Sequence, residues 1–132
     1  MSVRFVAIVS PQSKPIYFKS APDTPEQISL NHEFIAEMSL DFIEKQGQRL
    51  NDKTNQLELL VIHDGITVYG MTDNTQTKYI IGVKSMKETP QLQELMGILS
   101  RAFVEYQINP FKKEGAIRST AFDNKIKSIF DA

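Results

Sequence analysis

The chain has 132 residues, no cysteine or tryptophan, and 15 basic against 16 acidic side chains, for a net charge of −1. That length and a 41% hydrophobic, 23% charged composition fit one domain, residues 1–132, with a core that needs no disulfide or metal staple. The missing cysteines exclude a disulfide framework, a thiol nucleophile and a Cys-ligated metal, and the near-zero charge argues against a dedicated nucleic-acid binder.

In chain order, residues 4–10 (RFVAIVS) are β-branched and bounded by Pro11, which predicts a buried strand. The turn-forming Pro11-Gln12-Ser13-Lys14 and a second short strand, residues 15–19, complete an N-terminal hairpin. Thr24-Pro25-Glu26 then signals a helix start, with a hydroxyl cap, proline at the first helical position and an acid at the positive dipole end. At about 100° per residue, Ile28, Phe34, Ile35, Met38 and Phe42 share one face, predicting an amphipathic helix to Gln46 with Gly47 as its stop. Residues 57–63 and 66–72 flank Asp64-Gly65, a strong hairpin signal, and a polar turn at 73–76 leads to another strand at 77–84. Thr89-Pro90 caps a second helix whose buried stripe is Leu92, Leu95, Met96, Leu99, Phe103 and Tyr106, ended by Pro110. A third begins near Ser119 and carries Phe122, Ile126, Ile129 and Phe130 inward. The order β-β-α-β-β-β-α-α, five strands and three helices, predicts an α+β layered domain with a mainly antiparallel sheet.

Catalytic chemistry does not assemble. His32 and His63 lie on different elements with no metal-ligand spacing, and His63-Asp64 is accounted for by the turn that needs Asp-Gly. Gly65 and Gly70 have the separation of phosphate-loop glycines, but Met71-Thr72 follows where lysine and a hydroxyl are required. Glu33, Glu37 and Asp41 recur at i, i+4 along the first helix, a pattern usual for a solvated face. Neither a nucleophile elbow nor an oxyanion arrangement is present, so no enzyme, metal or cofactor is expected.

Two features fit a closed domain poorly. Leu40 falls roughly 160° from the Met38–Phe42 side of the first helix, and Asp41 lies beside Leu30 and Phe34. One reading is a stray exposed leucine; the other is a face that docks on another protein, with Glu37, Leu40 and Asp41 at the contact. In Asn109-Pro110-Phe111-Lys112-Lys113, an aromatic follows the helix-stopping proline within a polar loop, either as a core anchor or as an exposed linear motif. Lys112, Lys113, Arg118, Lys125 and Lys127 are diluted by Glu114, Asp123 and Asp131, so attraction to anionic lipid would be auxiliary.

Asn109-Pro110-Phe111 followed by Ile117-Arg118-Ser119-Thr120-Ala121-Phe122-Asp123 resembles the C-terminal signature of the sedlin family, small longin-like subunits of the transport protein particle (TRAPP) complexes. Val6-Ala7-Ile8-Val9 with Pro15-Ile16-Tyr17 resembles the family's opening hairpin, and Ser39-Leu40-Asp41 its Ser/Ala-Leu-Asp motif. Val68-Tyr69-Gly70 with Thr72, Asn74 and Lys78 is similar to the sedlin-like branch called 2-like. Lys112-Lys113 depart from the aromatic and polar pair common in relatives.

The resemblance implies a noncatalytic adaptor of a vesicle-tethering complex that activates Rab GTPases by nucleotide exchange, with the exchange centre built mainly by other subunits. It implies that Asp41 is an interaction-critical position. Asn109, Pro110, Phe111, Ser119, Phe122 and Asp123 would be architectural, with Phe111 and Phe122 anchoring the core and Ser119 or Asp123 capping the last helix. The partners would be other TRAPP subunits in ER–Golgi and intra-Golgi transport. Localisation would be cytoplasmic and peripherally Golgi-associated, with membrane contact only through the complex. The alternatives are a longin-like coat-adaptor or SNARE-regulatory subunit, the latter disfavoured because no SNARE heptad follows the domain, and a small-molecule sensor.

Overall fold

The computed structural model describes residues 3–12, 14–21, 24–46, 58–63, 65–73, 75–84, 89–108 and 120–130. Their order is β1 (Val3–Val9), β2 (Pro15–Ser20), α1 (Glu26–Gln46), β3 (Glu58–His63), β4 (Ile66–Thr72), β5 (Lys78–Val83), α2 (Thr89–Gln107) and α3 (Thr120–Phe130). The predicted element order and α+β class hold, with element ends moved by one or two residues, the usual uncertainty where helices and strands fray. All strand pairs are antiparallel, in the spatial order β2-β1-β5-β4-β3. The Asp64-Gly65 signal is realised: His63 pairs with Ile66, and Gly65 sits at φ +76°, where a side chain would be strained. The 73–76 turn is organised by Asp73. Its Oδ1 accepts from the backbone N–H of Thr75 (2.9 Å) and of Thr77 (3.1 Å), and its Oδ2 accepts from the Tyr79 hydroxyl (2.8 Å).

Side chains alternate across the sheet, so it buries both faces and the molecule has three layers. One face of β1, β4 and β5 presents Val6, Ile8, Tyr69, Tyr79 and Ile81 to α2 and α3. Leu99 on α2 and Ile126, Ile129 and Phe130 on α3 are wholly buried there, each contributing about 1.5–3 kcal/mol of transfer free energy. The predicted stripes of both helices are buried, with Tyr106 only half so. The other face presents Phe5, Ala7, Val9, Val68 and Ile80 to α1. Phe5 pairs with Gly82, and its ring fills the space that a Cβ there would take. This seats the ring 5.8 Å from Phe18 and 5.4 Å from His32.

The expected stripe of α1 is corrected. Ile35 is buried as expected, but Ile28 and Phe34 are 47% and 53% exposed, and His32, Ala36 and Ser39 are buried in their place. Met38 is half-buried, and the side chain of Phe42 lies outside the described residues. Apart from Ile35 this buried face is made of small and polar residues, and each of the polar ones finds a partner. Ser39 donates to the Ile35 carbonyl (3.0 Å), and His32 Nδ1 lies 3.2 Å from Ser20 Oγ, which meets Ser29 Oγ at 3.1 Å. Burial, and secondarily the nearby Arg4 cation, lower the His32 pKa below the usual imidazole value. The expected capping hydroxyl of Thr24 accepts a bond from Arg4 Nη2 (3.3 Å) instead, while the Ser29 N–H reaches the Pro25 carbonyl (2.9 Å) to open the helix.

Candidate interaction groove

A cleft of about 370 Å³ opens between α1 and the β1–β2 side of the sheet. Its floor is Ala7, Val9, Phe18 and Ile80, its wall Ala36 and Leu40, and its rim Glu33, Glu37 and Asp41. The space exists because two facing positions are alanine: Ala7 on the sheet and Ala36 on the helix, both buried, do not reach across it. The strand bounding it, β2, is an edge of the sheet.

All three residues expected at a partner contact, Glu37, Leu40 and Asp41, line this one groove. The placement of Leu40 is corrected: it does not stand away from the core but is half-buried and packs on the α1 side of it. Successive 100° steps carry Ser39-Leu40-Asp41 from core to wall to rim. Ser39 is fully buried and Asp41 exposed. In the sequence Glu33 has only the pattern of a solvated face, and Ala7, Phe18 and Ile80 read only as strand residues. The i, i+4, i+8 recurrence of acids beside Ala36 and Leu40 was the available signal for the helix side; nothing marked the strand side. Leu30 (59% exposed) and Phe34 extend the outer surface of α1 beyond the groove.

The C-terminal signature belongs to the opposite face. Phe122 is buried in edge-to-face contact with Tyr17 (centroids 4.7 Å, 78°) and Tyr106 (5.9 Å, 68°). Asp123 lies inside the first turn of α3, and its Oδ1 accepts from the Tyr17 hydroxyl (2.7 Å) with Lys19 Nζ at 3.9 Å. Its described partners are therefore on β2, so it fastens the last helix to the edge strand that borders the groove. Burial first, and then this bond and the charge of Asp123, push the Tyr17 hydroxyl pKa well above the phenol range. Asn109, Pro110, Phe111 and Ser119 lie outside the described residues, as do Lys112 and Lys113.

The histidines are not brought together: His32 is inside α1 and His63 ends β3. Among the described residues no group of three or more His, Asp or Glu side chains could hold a metal ion, and no helix is long and apolar enough to cross a membrane. What the geometry offers is an apolar trough with an acidic rim, suited to receiving part of another molecule.

An antiparallel five-stranded sheet with one helix on one face and two on the other, in this chain order, is an α+β layered domain of the longin-like class. The family model described as Sedlin matches residues 8–132. The chain belongs to the sedlin family, whose members are in general noncatalytic subunits of TRAPP complexes acting in vesicle trafficking. It is also similar to an uncharacterized protein of Schizosaccharomyces pombe, 24% identical over 116 residues that cover 83% of this chain and 78% of the relative.

Proposed function

We propose that this chain is a noncatalytic adaptor and assembly subunit of a TRAPP complex, a single domain over residues 1–132 that docks neighbouring subunits through the α1 groove. The observation that carries this reading is the convergence of Glu37, Leu40 and Asp41 on one open groove in a chain of the sedlin family. In this reading the complex tethers vesicles and promotes nucleotide exchange on Rab GTPases in ER–Golgi and intra-Golgi transport, and other subunits perform the exchange. The protein is cytoplasmic and reaches the Golgi through its partners. Its similarity to the sedlin-like 2-like branch favours a role in assembling the complex.

The test is Asp41→Tyr in the tagged full chain, purified from its native source. Asp41 is exposed, so the variant should melt with the wild type yet recover less of the neighbouring TRAPP subunits. Equal recovery at matched melting temperature would remove Asp41 from the interface. Mass spectrometry of the same preparations separates the other readings. Coat subunits in place of TRAPP subunits would place the chain in a coat adaptor, and a stoichiometric metabolite would turn the groove into a sensor pocket.

A further inference from the structure

We propose that the occupant of the α1 groove is a basic amphipathic helical segment of a partner protein, its apolar side chains on the trough floor and its lysines or arginines against Glu33, Glu37 and Asp41. This rests on the docking role given above to α1 and adds the chemistry of what docks. The charge distribution is one-sided. The described lining residues include three carboxylates and no Lys, Arg or His, in a chain whose net charge is only −1. No ion pair among the described residues uses any of the three.

Like charges at i, i+4 destabilise an isolated helix. Glu33–Glu37 and Glu37–Asp41 are two such pairs, retained beside an apolar trough without a described cation to offset them. A local rule broken without compensation among the described residues points to a use outside the fold. The spacing selects the form of the occupant. Acids one turn apart step by about 6 Å and together span about 12 Å, the step at which an incoming helix presents its own i, i+4 side chains. Below the rim, the half-buried Phe18 and Leu40 give an apolar bed for one or two turns of its other face.

The same rim disfavours the competing occupants. Anionic phospholipid headgroups would be repelled by it. A second copy meeting this one about a two-fold axis through the groove would set acid against acid.

The test is an amide NMR titration of the full-length chain with an about 14-residue Leu/Lys peptide patterned as an amphipathic helix and with its Leu/Glu counterpart. The expected result is that the Lys peptide shifts the amides of Val9, Ala36 and Leu40 and binds at least about tenfold more tightly than the Glu peptide. Raising the salt should weaken it, and Glu33→Gln/Glu37→Gln, on two exposed positions, should weaken it about tenfold at a melting temperature no lower than that of the wild type. Equal binding of the two peptides, shifts outside the groove, or unaltered affinity in the double variant overturns the proposal. So does self-association through the groove, read by sedimentation of the chain alone. Because these readouts use the isolated chain, failure here is distinguishable from failure of complex membership, which the Asp41→Tyr recovery decides.

Discussion

Replacing Phe122 by alanine should cost about 3–5 kcal/mol of folding stability. The ring is 3% exposed and stands where three elements meet, with Tyr17 of β2 on one side and Tyr106 of α2 on another. Those elements are held by the rest of the core, so they cannot close over the vacated space, which places the cost in the upper part of the range for large-to-small changes. Each edge-to-face pair adds about 0.5–1.5 kcal/mol beyond burial. Phe122→Leu, which keeps most of the volume and loses both ring pairs, should therefore cost about 1–3 kcal/mol. Tyr17→Phe keeps the ring contact and removes only the hydroxyl bonded to Asp123, for about 1 kcal/mol. Urea denaturation of the full chain measures all three. With a slope of about 2 kcal/mol per molar, Phe122→Ala should lower the midpoint by about 2 M, with the slope unchanged. A midpoint within about 0.3 M of the wild type would show that the ring carries no packing load, and the anchoring role of the C-terminal signature would fall with it.

Gly82→Ala must displace the Phe5 ring and so disturb its contacts with Phe18 and His32; a loss of about 1–3 kcal/mol is expected by thermal melting, and a neutral result would mean that the ring moves freely. Because the folded state lowers the His32 pKa, the unfolded chain binds a proton there more readily than the native one. The contribution is complete above the unfolded imidazole value of about 6.5 and is lost as pH falls from there through the lower folded value. His32→Gln should flatten that part of the stability–pH profile, and an unchanged slope would remove His32 as its source. Ala36 is buried yet lines the groove, so Ala36→Leu should fill groove volume and lower recovery of partner subunits at a stability cost of no more than about 1–3 kcal/mol; equal recovery would show that this part of the wall is not used.

The strands, α2 and α3 were legible because their signals are large and local. β-branched runs, an Asp-Gly turn and bulky residues at helical spacing each report directly on what is buried. In α1 the large Ile28 and Phe34 carry the strongest inward signal by size yet stand exposed, whereas the buried face is made by Ile35, Ala36, Ser39 and a hydrogen-bonded His32. An alanine gives no size signal of its burial, and a buried histidine depends on its partners. Neither can be read until the neighbouring element is known. The groove escaped for the related reason that it is volume left unfilled, by Ala7 and Ala36, 29 positions apart in sequence. The Tyr17–Asp123 bond joins residues 106 positions apart and has no local trace.

The two faces of the sheet therefore call for different readings of a substitution. On the α2–α3 face, rings and branched side chains interlock, so a change at Phe122 or Ile126 acts on whether the chain folds. On the α1 face the helix is seated by small and polar residues, leaving an open flank where changes at Glu33, Glu37 or Asp41 leave the core untouched. Ser39-Leu40-Asp41 crosses that divide in three residues. Ser39 is buried with its hydroxyl satisfied, and Asp41 is solvated on the rim. Leu40 is half-buried between them, so truncating it removes packing from the core and apolar wall from the groove together. Loss of partner binding in a Leu40 variant is thus ambiguous unless stability is measured beside it, whereas the same loss at Asp41 reports on the interface alone.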